Sequence, residues 1–243
     1  MQRYFIFFAY DGRHYHGWQQ QPNAVSVQQT LQQALTTLLR QNVEVVGAGR
    51  TDAGVHARQM VAHFDVQTIS DPLQLVYRLN RLLPKDISVS KIISVDNDMH
   101  ARFSARSRTY HYYIHTQKTP FLHSYSCFLT YPLDFGLMNQ AAAHLLTVSD
   151  FAAFCKSHTD VKTTLCHVTE ARWVQDSAYE WHFVITANRF LRNMVRAIVG
   201  TLIDVGRGRI TLDDFMHIVA LQKRTEAGES MPAHALFLEK IEY

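Results

Sequence analysis

The chain has 243 residues, 47% hydrophobic and 19% charged, with a formal net charge of +3. That is enough apolar material for one large core or two small ones, and only a mild bias toward acidic partners. No apolar run reaches about 18 residues, and Met1-Gln2-Arg3-Tyr4 enters a strand pattern at once, so neither a membrane span nor a signal peptide is expected. The three cysteines, Cys127, Cys155 and Cys166, form no Cys-x-x-Cys pair, which points to a reduced, cytoplasmic protein without disulfides or a zinc knuckle.

The aromatic run 4–10 reads as a strand. Ser26 opens a capping box with Gln29, followed by Val27, Leu31, Leu35 and Leu38 at helical spacing. Residues 43–46 form a short strand leading into a glycine-flanked loop, and 59–66 alternate as a half-buried strand. Asp71-Pro72 starts a helix bearing Leu75, Val76, Leu79 and Leu82, stopped by Pro84. Another strand covers 87–95. In the second half, 109–115 alternates as a strand, Leu137, Ala141 and Leu145 mark a helix, and 164–174 and 179–187 pair around a turn near Asp176-Ser177. A strong helix spans 190–205, with Leu191, Val195, Ile198 and Leu202 on one face and Gly206 at its end. Thr211 caps a further helix, and 235–243 closes as a strand. Interleaved helices and hairpin-like strands predict an α+β architecture with mainly antiparallel sheet, in two similar halves, 1–103 and 104–243.

Chemistry concentrates in three places. Gly47-Ala48-Gly49-Arg50-Thr51-Asp52-Ala53-Gly54-Val55-His56-Ala57-Arg58 sets one carboxylate among glycines and arginines. Glycines permit tight turning and close backbone approach, while Arg50 and Arg58 can pair with Asp52 or with phosphates. A nearby cation keeps a carboxylate ionised, as a nucleophile requires. The second place is His100-Ala101-Arg102-Phe103-Ser104-Ala105-Arg106-Ser107-Arg108-Thr109-Tyr110, a basic segment in which Tyr110 can either stack on a base or fill the core. The third is Arg189-Phe190-Leu191-Arg192-Asn193-Met194-Val195-Arg196, where helical spacing puts Arg192 and Arg196 on one side. Arg196, its stem beside Val195 and Ile198, wants a carboxylate, and Asp52 is a candidate.

Other chemistries find no home. Gly47-Ala48-Gly49 lacks the third glycine of a dinucleotide fingerprint, and neither a Gly-Lys-Ser/Thr phosphate loop nor Gly-x-Ser-x-Gly occurs. Fourteen histidines include His111 and His115 four apart, but in a strand that spacing builds no helical ligand face, so no metal site is expected.

Together these pieces resemble the tRNA pseudouridine synthase A family. The resemblance rests on Tyr10-Asp11-Gly12-Arg13-His14-Tyr15-His16-Gly17-Trp18-Gln19, on the run from Gly49 to Ala57, on Asn80-Arg81-Leu82-Leu83-Pro84, on His100-Ala101-Arg102-Phe103-Ser104-Ala105, and on Phe190-Leu191-Arg192-Asn193-Met194-Val195-Arg196-Ala197-Ile198-Val199-Gly200. It implies the pseudouridine synthase fold, two related α+β halves around a central cleft. It further implies isomerisation of uridine to pseudouridine in the tRNA anticodon arm, at positions 38, 39 and 40, by a homodimer without metal or organic cofactor. By motif, Asp52 is the implied nucleophile, Arg196 its partner, Tyr110 the ring packed on the target base, and Arg50 a contact to the RNA backbone or the space a flipped nucleotide vacates. The family's Ala-Pro-Ala-x-Gly-Leu stands here as Met231-Pro232-Ala233-His234-Ala235-Leu236, with Ala235 in place of glycine, and Lys162-Thr163-Thr164 matches less well.

Asp52 can attack the sugar C1′ or the base C6, or remove a sugar proton to give a glycal, and the residues do not choose among these. Two other readings stand beside this one. An RNA-binding or chaperone protein of the same fold without turnover is opposed by retention of Asp52, Tyr110 and Arg196 together. A sugar hydrolase is opposed by the lack of a second carboxylate beside Asp52.

Overall fold

The computed structural model describes residues 1–156 and 161–243. They fall into two compact units, Met1–Arg106 with Phe237–Tyr243, and Ser107–Leu236. In the first, β1 (Gln2–Tyr10), α1 (Val27–Leu39), β2 (Val46–Gly47), β3 (His56–Val66), α2 (Pro72–Leu82) and β4 (Ile87–Val95) follow in order. Strands run β4-β1-β3, antiparallel throughout, with β2 also on β3. The closing strand β9 (Leu236–Glu242) then lies parallel to β3 through His56↔Phe237 and Ala57↔Leu238. Alternation puts Tyr4, Ile6, Phe8 and Tyr10 on one sheet face, all buried. Phe5, on the other face, is covered by Tyr243 at 4.9 Å.

The second unit contains β5 (Ser107–His115), β6 (Cys127–Phe128), α3 (Phe135–His144), β7 (Val168–Gln175), β8 (Glu180–Ala187), α4 (Met194–Gly206) and α5 (Leu212–Leu221). Its sheet is β5-β8-β7, antiparallel, with β6 parallel to β5. Along α4 nearly every side chain is buried, including Ile198, Leu202 and Val205, each such aliphatic worth roughly 1.5–3 kcal/mol. Gly200 allows the Glu229 carbonyl to lie against the helix where any Cβ would collide. At α1 the expected capping box is seen in its first half, the Ser26 side chain accepting from Gln29 N–H, and at α2 the Asp71 side chain accepts from Gln74 N–H. A reciprocal capping box closes on α5, between Thr211 and Asp214.

Three expected elements change. The strand expected at 43–46 is reduced to Val46–Gly47, because α1 supplies the partners upstream: Val43 N–H donates to Thr36 Oγ1, Val45 N–H to Gln32 Oε1, and Gln28 Nε2 to the Val45 carbonyl. The strand expected from 164 begins at Val168. Residues 164–166 bond instead to 149–151, through Phe151 N–H to the Thr164 carbonyl and Cys166 N–H to that of Ser149. The helix expected from 190 begins at Met194, since Asn193 is left-handed with φ 67°. Arg192 therefore precedes the helix, and the shared face inferred for it with Arg196 does not exist. Leu191 supplied the misleading period: it is buried without being helical.

Candidate active site

The loop carrying Asp52 leaves β2 with Ala48 N–H bonded to the Val61 carbonyl, at 2.8 Å, and re-enters the sheet at His56. Between these points the segment 10–18 holds it. Tyr10 Oη and Thr51 Oγ1 are 2.9 Å apart. Trp18 N–H donates to the Thr51 carbonyl at 3.4 Å, Gly54 N–H to that of Tyr15 at 3.3 Å, and Val55 N–H closes a turn onto the Asp52 carbonyl at 3.2 Å. Gly17 sits at φ 88°, and a Cβ there would run into the Thr51 carbonyl oxygen, so this position requires glycine on both counts. Trp18 backs the cradle, buried against Phe8 with ring centroids 5.6 Å apart. The outcome is a half-buried Asp52 on a loop fixed from behind, with Arg50 exposed two residues away. Arg58 meets Glu239 of β9 at 3.2 Å, its guanidinium 5.2 Å from the Phe237 ring.

In the second unit, Tyr110 and Tyr112 share one face of β5. Tyr112 is the core residue, fully buried, its hydroxyl donating to the Pro232 carbonyl at 3.0 Å. Burial pushes that phenol well above its ordinary pKa, so it stays protonated and a donor. Tyr110 is half-buried and meets Phe190 edge to face at 5.0 Å, which leaves its ring positioned but not entombed. Arg196 occupies the first turn of α4, half-buried. Its Nε donates to the Met231 carbonyl while Met231 N–H donates back to the Arg196 carbonyl at 3.2 Å. The 227–232 segment is itself tied down by Gly228 N–H on Thr201 Oγ1, Arg224 on Ser230 Oγ at 2.9 Å, and Asn193 Nδ2 on the same hydroxyl. A guanidinium held at Nε has its plane set, the condition for a fork-like meeting with a carboxylate.

Of the expected site residues, then, Arg50 and Asp52 belong to the first unit and Tyr110 and Arg196 to the second. Sequence reasoning missed the Met231 clamp altogether. Ala235 causes no distortion: it lies buried in a short 3₁₀ turn, Ala233–Ala235, and is not among the residues at positive φ, so alanine suits the backbone there. Among the described residues no group of three or more His, Cys, Asp or Glu could hold a metal ion. His115, half of the pair considered above, is buried against Ser126 Oγ at 2.9 Å. No helix among the described residues is long and apolar enough to cross a membrane.

Residues 6–104 and 141–243 match the family model described as tRNA pseudouridine synthase. Whole-length similarity extends to proteins named tRNA pseudouridine synthase A. The one from Bacteroides fragilis is 56% identical over 246 residues, spanning 100% of this chain and 97% of its own. That from Porphyromonas gingivalis is 54% identical, covering 100% and 98%. The Thermoanaerobacter sp. protein is 40% identical, covering 100% of both chains.

Proposed function

Because the chain belongs to the tRNA pseudouridine synthase family, we infer that it isomerises uridine to pseudouridine in tRNA, with Asp52 as nucleophile. The observation that carries the assignment of Asp52 is the cradle: the Tyr10 hydroxyl on the Thr51 side chain, the Trp18 and Gly54 amides and the bend at Gly17 all hold the loop around this one carboxylate. During isomerisation the N1–C1′ bond breaks and a C5–C1′ bond forms. The C5 hydrogen leaves to solvent and N1 takes a proton, so the balance needs no oxidant or reductant. The target base must leave the stack first, since its reacting atoms are out of reach within a helix.

Arg196 pairs with Asp52 in this reading, keeping the carboxylate ionised and aimed. Tyr110 packs on the uracil while it turns, and Arg50 contacts the RNA backbone or fills the space of the flipped nucleotide. The substrate region is the anticodon arm at positions 38, 39 and 40, and the working species is a cytoplasmic homodimer without metal or cofactor.

The test is tritium release from tRNA carrying uridine tritiated at C5. Wild-type protein frees the label, and Asp52→Ala frees none while still binding tRNA. Residual release by the variant removes Asp52 as nucleophile, and a collapse of binding makes it a structural residue. No release by the wild type, despite tight binding, returns the protein to the RNA-binding reading.

A further inference from the structure

One feature of the first unit serves neither the Asp52 loop nor its sheet. Phe103 exposes 76% of its surface, although the short turn that carries it is fastened by several hydrogen bonds. His100 Nδ1 accepts from Arg102 N–H at 3.0 Å and from Phe103 N–H at 3.3 Å. Ser104 closes the turn in both directions, its N–H on the His100 carbonyl and its Oγ accepting from His100 N–H, each at 2.9 Å. Ala101, fully buried, gives its N–H to His63 Nδ1 at 3.2 Å and takes the Tyr243 hydroxyl on its carbonyl at 2.7 Å. Beneath it Arg3 grips Asp65 with two nitrogens and the Met99 carbonyl with a third. Both imidazoles serve as acceptors at Nδ1, which requires their neutral form. Burial, helped by the neighbouring Arg3 charge, lowers both pKa values, that of His63 to about 4.

An exposed phenyl ring gains nothing for folding where it stands, yet this one is framed. The His100 ring lies 4.4 Å from it on one side and the Arg102 guanidinium 5.6 Å from its centroid. Arg102 and Arg106 are both exposed on the same basic segment. A rigid, exposed aromatic ring with a guanidinium beside it is the arrangement that stacks an unpaired base while a phosphate is neutralised alongside. It does not fit a protein groove, because one ring offers too little apolar area.

We propose that Phe103, presented by the His100 turn and flanked by Arg102, is a stacking platform for an unpaired base of the RNA substrate. The inference rests on the tRNA reading above and adds to it a binding site outside the named catalytic residues. Stacking is tolerant of base identity, so the platform contributes affinity and register more than sequence choice.

The experiment compares full-length wild type with Phe103→Ala, Phe103→Leu and Phe103→Trp for binding of an unmodified tRNA transcript, tritium release, melting temperature and sedimentation. Phe103→Ala weakens binding on the order of 10-fold, as expected for one lost base stack, raises KM and leaves kcat unchanged. Phe103→Leu is as weak as alanine despite its apolar side chain, and Phe103→Trp binds as tightly as wild type. The dependence of affinity on salt keeps its slope in all three, whereas Arg102→Ala flattens it. Wild-type affinity in Phe103→Ala, or full rescue by leucine, overturns the platform. So does a changed melting temperature or sedimentation coefficient in Phe103→Ala, which assigns the ring to folding or to contact between copies. If wild type itself neither binds nor modifies the transcript, the tRNA reading falls first; if wild type works and Phe103→Ala matches it, the platform alone falls.

Discussion

The Asp52 loop and the Arg196 turn are clasped by segments almost equally far away along the chain: Tyr10 and Thr51 are 41 residues apart, Arg196 and Met231 35. They differ in what does the clasping. Around Asp52, backbone bonds from the Trp18 and Gly54 amides are joined by particular side chains, a tyrosine hydroxyl and a tryptophan ring, and by a glycine that has no side chain to intrude. Around Arg196 the direct hold is backbone, the carbonyl and N–H of Met231, with the Asn193, Arg224 and Ser230 side chains tying that segment down from behind. A clasp made of particular side chains leaves a motif that can be read; a clasp made of carbonyls leaves none.

Substitutions break this comparison in graded ways. Arg196→Ala is expected to lower kcat by about 10²–10³, the loss typical when an electrostatic partner of a reacting group is removed, with KM for tRNA nearly unchanged. Arg196→Lys keeps the charge but not the planar fork, and recovers only part of the rate. A change confined to KM would make Arg196 an RNA contact and break its link to Asp52.

Acid distinguishes the two units themselves. The first holds His63 and His100 with lowered pKa values, and the second His115. An unfolded histidine titrates near 6.5 and folded His63 at about 4, so between these values the unfolded chain binds the extra proton. Stability is full above about pH 6.5 and falls toward pH 4, by roughly 3 kcal/mol for His63 alone. The charges facing His63 pull in opposite directions, Arg3 and His100 lowering its pKa and Asp65 raising it. Hydrogen exchange at pH 7 and pH 5 checks this: amides of β1 and β3 lose protection before those of β5 and β8. Equal loss in both units would discard the assignment.

Smaller effects sharpen the contrast. Gly17→Ala, strained at positive φ and driven into the Thr51 carbonyl, is expected to destabilise by about 2 kcal/mol and to slow turnover by shifting Asp52. Tyr10→Phe, losing its bond to Thr51, should cost about 1 kcal/mol. Met231→Ala keeps the carbonyl that holds Arg196 and is expected to turn over at the wild-type rate. Thermal melts and tritium release measure all three, and a slow Met231→Ala protein would show that its side chain, not its carbonyl, positions Arg196.

Much of this molecule was legible before its structure. Residues 87–95 form the expected strand, Asp71-Pro72 begins α2, and Thr211 caps α5, because alternation, capping and proline act within a few residues of themselves. The failures share one cause. Val43, Val45 and Leu191 are buried as their spacing promised, but burial does not state which partner takes the backbone hydrogen bonds. Polar side chains of α1 took those of Val43 and Val45, and the left-handed Asn193 cut Leu191 from α4.

The sequence by itself determined the α+β class, the order of elements, the family, and the identities of Asp52, Tyr110, Arg50 and Arg196 as the residues to test. Tertiary structure alone decided that β9 returns to lie parallel beside β3, that Tyr112 and not Tyr110 fills the core, that Arg58 turns to Glu239, and that Met231 steadies Arg196. The first group depends on side-chain identity and near-neighbour spacing. The second depends on which distant residues the fold brings within reach of a donor, an acceptor, a charge or the core, and neither local spacing nor a backbone amide or carbonyl reports that.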